Sequence, residues 1–249
     1  MSPQEQYRYE LHTLTVLGTP METLLFRPEG PGPFPGLLQC QHIPMGHAGL
    51  EHDTFTLTTA RRLSDAGFVV VVPFLFHWWP KDDPLERKRE GSRDDWMLED
   101  LRSALALLRD DAQVDASRLG VVGHCWGGRV AWLAACHLTE LRVLATFYGG
   151  NIGKALGAGN QPPLALTPHM RCRVIGFYGN EDTNPSPDDV EAYAQALGAA
   201  GIPFEFHQYD GAGHAFQNFP MPERYHEASS EDAWRKLLEF LRDELAERL

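Results

Sequence analysis

A mostly parallel β-sheet covered by helices on both faces, in one continuous domain, is the α/β architecture this sequence predicts. Three observations lead there. Strand-like and helix-like segments alternate along most of the chain. The run Phe68-Val69-Val70-Val71-Val72 is uniformly apolar and rich in β-branched residues, which suits a central strand buried on both faces. No Pro/Gly/Ser-rich linker, internal repeat or low-complexity tract divides the 249 residues.

Taken in order, residues 9–17 and 22–27 read as an antiparallel hairpin turning near Gly18-Thr19-Pro20. A third strand covers 36–40, and a helix runs from about Thr54 to Ala66, stopping at Gly67. After the apolar strand at 68–72, Trp96, Leu101, Leu105 and Leu108 mark one helical stripe. A buried strand at 119–122 leads into a helix through Val130, Leu133 and Ala134, followed by strands at 142–147 and 174–178. Ser186-Pro187 supplies a capping residue and a first-turn proline to a helix that Gly201 ends. A last strand covers 204–207, and Trp234, Leu237, Leu238, Leu241 and Leu245 mark a closing amphipathic helix. In such folds reactive groups gather where strands end and loops begin.

A formal net charge of −12 with no basic cluster argues against nucleic acid and anionic lipid as partners and favours a small molecule. No apolar run is long enough to span a bilayer, and the N-terminus lacks the basic start and apolar core of a signal peptide. Cys40, Cys125, Cys136 and Cys172 lie far apart, as reduced thiols of a cytoplasmic protein do. A monomer or small homo-oligomer is expected.

The strongest local signal is Gly123-His124-Cys125-Trp126-Gly127-Gly128, a G-x-C-x-G pattern between a strand and a helix. A turn this tight needs small residues beside its apex, and it lifts the central residue above the sheet edge in a strained conformation. The helix N-terminus favours a thiolate at Cys125, and the Trp126 amide faces any oxyanion formed there. The other three cysteines lack that context and read as core.

An acid is then expected after a later strand and a histidine after the last one. Gly179-Asn180-Glu181-Asp182 follows the strand at 174–178, with Asp182 preferred over Glu181. Gly211-Ala212-Gly213-His214 follows the last strand, and its glycines let His214 lean over the sheet to take the Cys125 proton while Asp182 orients it.

On these residues, with Ala212-Gly213-His214-Ala215-Phe216 and Ala66-Gly67-Phe68 leading to Pro73-Phe74-Leu75-Phe76, the chain resembles the dienelactone hydrolase (carboxymethylenebutenolidase) family of α/β-hydrolases over about residues 20–245. The resemblance implies a cysteine hydrolase that opens a lactone or cleaves an ester through an acyl-enzyme, with no metal or organic cofactor. It implies a second oxyanion donor at the Ile43 amide. Two departures stand out. His42 occupies a position where members commonly carry a glutamate that takes part in switching the resting thiol to thiolate, and a histidine there either accepts a proton or contacts the substrate. Of the two arginines that hold the family's carboxylate substrate, Arg89 matches one, whereas Gln217-Asn218 stands where the other is expected. A dienelactone carboxylate should therefore bind less well, and the substrate is either neutral or an anion held differently.

Trp78 and Trp79 either offer an aromatic wall to a planar substrate or cover the sheet edge. His42, His47 and His52, spaced by five, match no short-gap zinc pattern and read as a polar loop at the pocket mouth. The leading expectation is a hydrolase of small lactones or activated esters. A general esterase, a thioesterase or another bond-cleaving enzyme with the same three residues is the alternative within the fold. A silent binding protein with a redox-sensing Cys125 is the alternative outside enzymology.

Overall fold

The computed structural model describes residues 2–43 and 49–246. A short helix α1 (Pro3–Tyr7), started by a Ser2–Glu5 capping box, precedes the hairpin of β1 (Tyr9–Val16) and β2 (Thr19–Phe26). Val16 pairs with Thr19, so the turn is Leu17-Gly18, both at positive φ (47° and 83°), one residue tighter than the sequence suggested.

Then follow β3 (Phe34–Cys40), α2 (Thr54–Asp65), β4 (Val69–Pro73), α3 (Leu85–Gly91), α4 (Asp94–Arg109), β5 (Val114–His124), α5 (Trp126–His137) and β6 (Leu141–Phe147). The chain closes with β7 (Arg173–Gly179), α6 (Pro187–Ala199), β8 (Phe204–Tyr209) and α7 (Glu227–Glu244). The expected alternation is present. The short α1 and α3 escaped it because neither is long enough to show an apolar period.

All eight strands form one sheet in the order β1-β2-β4-β3-β5-β6-β7-β8. Only the pairings β1–β2 and β2–β4 are antiparallel; β4-β3-β5-β6-β7-β8 are mutually parallel. Val69 to Val72 are fully buried, as a strand covered on both faces requires. The two faces are traceable through glycines. A Cβ on Gly36 would meet Leu108 of α4, whereas one on Gly120 would meet Leu37 and Leu245, just beyond α7. Adjacent residues Gly36 and Leu37 point to opposite faces, so α4 and the chain end after α7 cover opposite sides. No helix among the described residues is long and apolar enough to cross a membrane.

The architecture positions a site because parallel strands end at one edge of the sheet. The loops after β3, β5, β7 and β8 all emerge there, carrying His42, Cys125, Asp182 and His214.

Candidate active site

Cys125 occupies the turn between β5 and α5 with φ 56° and ψ −121°, a left-handed conformation that a side chain adopts only when its surroundings enforce it. The flanking glycines enforce it. A Cβ on Gly123 would lie 2.0 Å from the Gly127 carbonyl oxygen, and one on Gly127 would lie 2.1 Å from that of Cys40. A Cβ on Gly128 would meet the Gly149 Cα at 2.8 Å. The G-x-C-x-G-G spacing is thus a steric requirement of the strand, the helix and the tail of β3 crowding one point.

The loops after β7 and β8 meet each other beside that turn. The Glu181 amide donates to the Ala212 carbonyl (3.0 Å), and the Asn180 amide donates to that of Tyr209 (3.0 Å). Only glycine fits at 179, where a Cβ would sit 2.2 Å from the Ala212 carbonyl oxygen. Glu181 is exposed, whereas Asp182 is buried. Asp182 accepts the Asn184 amide at one oxygen (2.8 Å) and His214 Nδ1–H at the other (2.8 Å). His214 Nε2 lies 3.1 Å from Cys125 Sγ. The Tyr148 ring packs edge-on against the imidazole at 5.3 Å. The structure therefore brings Cys125, His214 and Asp182 into one hydrogen-bonded line.

The charges follow from this geometry. Burial pushes the Cys125 thiol up, but the His214 contact, the Trp126 amide and the charge of His42 outweigh it and leave the thiol below its ordinary value. Burial pulls His214 down, yet Asp182 and the sulfur raise it to about 10. Both shifts favour the thiolate–imidazolium form of the pair over the neutral one. The other cysteines behave oppositely: burial alone pushes Cys40 up, burial and the neighbouring Cys172 push Cys136 up, and burial drives Cys172 to about 12. His124, stacked on Phe147 at 4.3 Å and pulled down to about 3 by burial, stays neutral and donates Nε2–H to the Gln217 side-chain oxygen at 2.9 Å.

The sequence matches the profile of the dienelactone hydrolase family over residues 21–245. The chain belongs to the dienelactone hydrolase family. It is 33% identical over 197 residues to a Salmonella typhimurium protein named "Putative carboxymethylenebutenolidase", covering 72% of this chain and 68% of that one. An Escherichia coli K12 protein of the same name is 31% identical over 229 residues, covering 85% and 78%. Among solved structures, a "Putative Dienelactone Hydrolase" from Klebsiella pneumoniae superposes with a TM-score of 0.82 at 28% identity, covering 94% of this chain and 97% of that one. The fold is that of the α/β-hydrolases, and the chain is a member of a hydrolase family.

Around Cys125 the structure forms a cavity of about 540 Å³. Ile43, Trp126, His42 and Arg89 all line it. The Trp126 amide opens α5, has no intrahelical acceptor and points to the sulfur. The Gln41 side chain accepts the Leu75 amide at 2.9 Å and so fastens the loop that carries Ile43 to the segment after β4.

Trp78 and Trp79 do not line the cavity. Trp78 stacks on Trp96 at 4.8 Å and donates its indole N–H to the fully buried Asp100 (3.0 Å), and Trp79 packs on Phe76 and Trp96. A buried indole N–H needs such a partner, so the two tryptophans pack against α4 and do not wall the cavity. Of the three loop histidines, His42 faces Asp53, His52 is exposed, and His47 lies outside the described residues. Among the described residues no group of three His, Cys, Asp or Glu side chains is arranged to hold a metal ion.

Three cavity residues escaped sequence reasoning. Lys154 and Arg224 join Arg89 at the wall, all exposed and without a carboxylate partner among the described residues. Arg129 also lines it but is buried and engaged by Asp94. No periodicity or motif marks positions 154 and 224, because only the folding of two distant loops puts them together. Gln217, expected near the second arginine position, turns away from the cavity toward His124 and the Ser230 carbonyl, whereas Asn218 lines it.

Proposed function

We propose that this member of the dienelactone hydrolase family is a cysteine-dependent carboxylic ester hydrolase that opens small lactones or activated esters carrying an anionic group, through an acyl-enzyme. The observation that carries the reading is the line from Cys125 Sγ to His214 Nε2 (3.1 Å) and from His214 Nδ1 to Asp182 (2.8 Å), inside a cavity whose wall carries Arg89, Lys154 and Arg224, none of them with a carboxylate partner among the described residues.

In this reading the Cys125 thiolate attacks the carbonyl carbon, and the tetrahedral oxyanion accepts hydrogen bonds from the Trp126 and Ile43 amides. His214, already an imidazolium, gives its Nε2 proton to the departing alkoxide as the C–O bond breaks, which leaves a thioester on Cys125. In a lactone the freed hydroxyl stays tethered to the acyl group. Neutral His214 then takes a proton from water, the hydroxide adds to the thioester, and collapse returns the thiolate and a carboxylic acid. Asp182 holds Nδ1–H throughout and keeps Nε2 aimed at the sulfur. Thiolate is a good leaving group, so esters of acidic alcohols and enol lactones suit it better than amides.

The substrate's charge is argued from the wall. The chain is strongly acidic overall, yet Arg89, Lys154 and Arg224 converge on the cavity, where the one carboxylate among the described lining residues, Asp182, is engaged by His214. A concave site lined by one sign of charge concentrates ligands of the other. Three cations from three segments support an anion held differently from a two-arginine clamp.

The test compares wild type with Cys125→Ser and Cys125→Ala on p-nitrophenyl acetate and on a dienelactone, under reducing conditions with intact-mass detection. A burst, an acyl adduct on the wild type and loss of turnover in the alanine variant are expected. Equal activity of wild type and Cys125→Ala across an ester panel would overturn the covalent mechanism.

A further inference from the structure

A second imidazole–carboxylate pair stands at the same cavity. β3 and β5 run in parallel register up to Cys40 opposite Gly123, and the tail of β3 presses on the first turn of α5 closely enough to exclude a Cβ at Gly127. His42 is thereby carried to the wall that holds Cys125 and Trp126. Its Nε2 lies 3.0 and 2.9 Å from the two Asp53 oxygens. Asp53 is itself immobilised as the cap of α2, accepting the Thr56 amide (3.1 Å) and hydroxyl (2.7 Å). The Phe55 ring, 5.0 Å away, holds the imidazole plane. The imidazole lines the cavity that Cys125 also lines and the carboxylate does not, so the pair turns its imidazole side toward that shared space.

We propose that His42, held as an imidazolium by Asp53, is a positioning residue that stabilises the Cys125 thiolate before substrate arrives, in addition to His214. The inference rests on Cys125 being the nucleophile.

The charged and titratable groups facing His42 are Asp53 from α2, Cys125 at the β5–α5 turn, and His124 at the end of β5. Those facing Cys125 are His214, His42 and the buried Tyr148, with Asp182 behind His214. His124 is neutral and Tyr148 un-ionised, so neither opposes the arrangement. Burial draws His42 down, but Asp53 and then the sulfur raise it above its ordinary value. A pair that is already charged needs no substrate-triggered movement to activate the sulfur, so the free enzyme is reactive.

The experiment is the pH dependence of Cys125 alkylation by iodoacetamide, followed by peptide mass spectrometry and by far-ultraviolet thiolate absorbance. It uses full-length wild type, His42→Gln and, as a second variant should glutamine disturb α2, His42→Asn. Thermal melting establishes that each variant is folded. Wild type is expected to alkylate readily without substrate. Loss of His42 is expected to raise the Cys125 pKa by about one pH unit and to slow alkylation about tenfold at the acidic end. The acidic limb of the kcat/KM profile should move by the same interval. An unchanged Cys125 pKa in a folded variant overturns the role of His42 alone if the wild-type thiol is acidic and turnover requires Cys125. A wild-type thiol of ordinary pKa with turnover that survives Cys125→Ala overturns the nucleophile reading as well.

Discussion

Replacing Arg129 by methionine tests how the cavity wall is held. The guanidinium is fully buried and donates to both Asp94 oxygens (2.6 and 2.9 Å), to the Asn151 carbonyl (3.2 Å) and to that of Lys154. Asp94 in turn accepts the Leu156 amide at 2.9 Å. One ion pair thus anchors the segment that contributes Gly150, Asn151, Lys154 and Leu156 to the cavity. Methionine keeps the unbranched apolar stem but removes every donor, which leaves the buried Asp94 carboxylate with the Leu156 amide in place of the guanidinium. Removing one member of a buried pair costs about 3–5 kcal/mol. For a chain of this size each kcal/mol lowers Tm by about 2–4 °C, so Arg129→Met should melt roughly 6–20 °C below wild type. Thermal and urea denaturation followed by circular dichroism measure this. Because the loop carrying Lys154 loosens, KM for a carboxylate-bearing ester should rise more than kcat falls. The double variant Asp94→Leu/Arg129→Met should recover much of the loss, since it leaves no orphaned charge. A loss below about 1 kcal/mol, the range of an exposed pair, would show that the pair does not anchor this wall.

Three further outcomes follow from the site. Gly127→Ala forces a Cβ to 2.1 Å from the Cys40 carbonyl oxygen and 2.6 Å from that of Gln41, so the oxyanion loop must shift; turnover should drop by about 100-fold, and near-normal kinetics would refute the steric account. Asp182→Asn should lower kcat/KM by at least about 100-fold. It should also alter the pH dependence of stability. His214 is raised to about 10 in the folded protein, so its protonation adds stability that is complete below the unfolded value of about 6.5 and lost as pH climbs through about 10. The urea midpoints of variant and wild type should therefore converge toward high pH; a gap that widens contradicts the assignment. Reversing charge with Lys154→Glu/Arg224→Glu should raise KM about tenfold for a carboxylate-bearing ester and leave kcat on neutral p-nitrophenyl acetate nearly unchanged. The effect should fade at high salt, and an equal loss on both substrates would place these cations outside substrate recognition.

The fold was legible because its signals are short-range. The uniformly apolar run at 68–72, the Ser186-Pro187 start of α6 and the glycine at 67 (φ +102°) each act within a few residues. Cys125 was legible for the same reason, since the demand for glycine on both sides of it is a local steric one. His214 and Asp182 were legible through their order after successive strands. Trp78 and Trp79 were ambiguous in sequence because an indole serves a cavity and a core equally well, and the choice rested on Asp100, two turns into α4.

By itself, then, the sequence determined the alternation of strands and helices, the buried central strand and the strained turn bearing the thiol, all products of periodicity and local sterics. Only the tertiary structure decided that Asp53 holds His42, that Arg129 and Asp94 anchor the cavity wall, and that Lys154 and Arg224 face the same space as Arg89. Those groupings arise between segments far apart in the chain. They depend on strand order and register, which bring loops to one sheet edge, and no local pattern of residues encodes which side chains meet there.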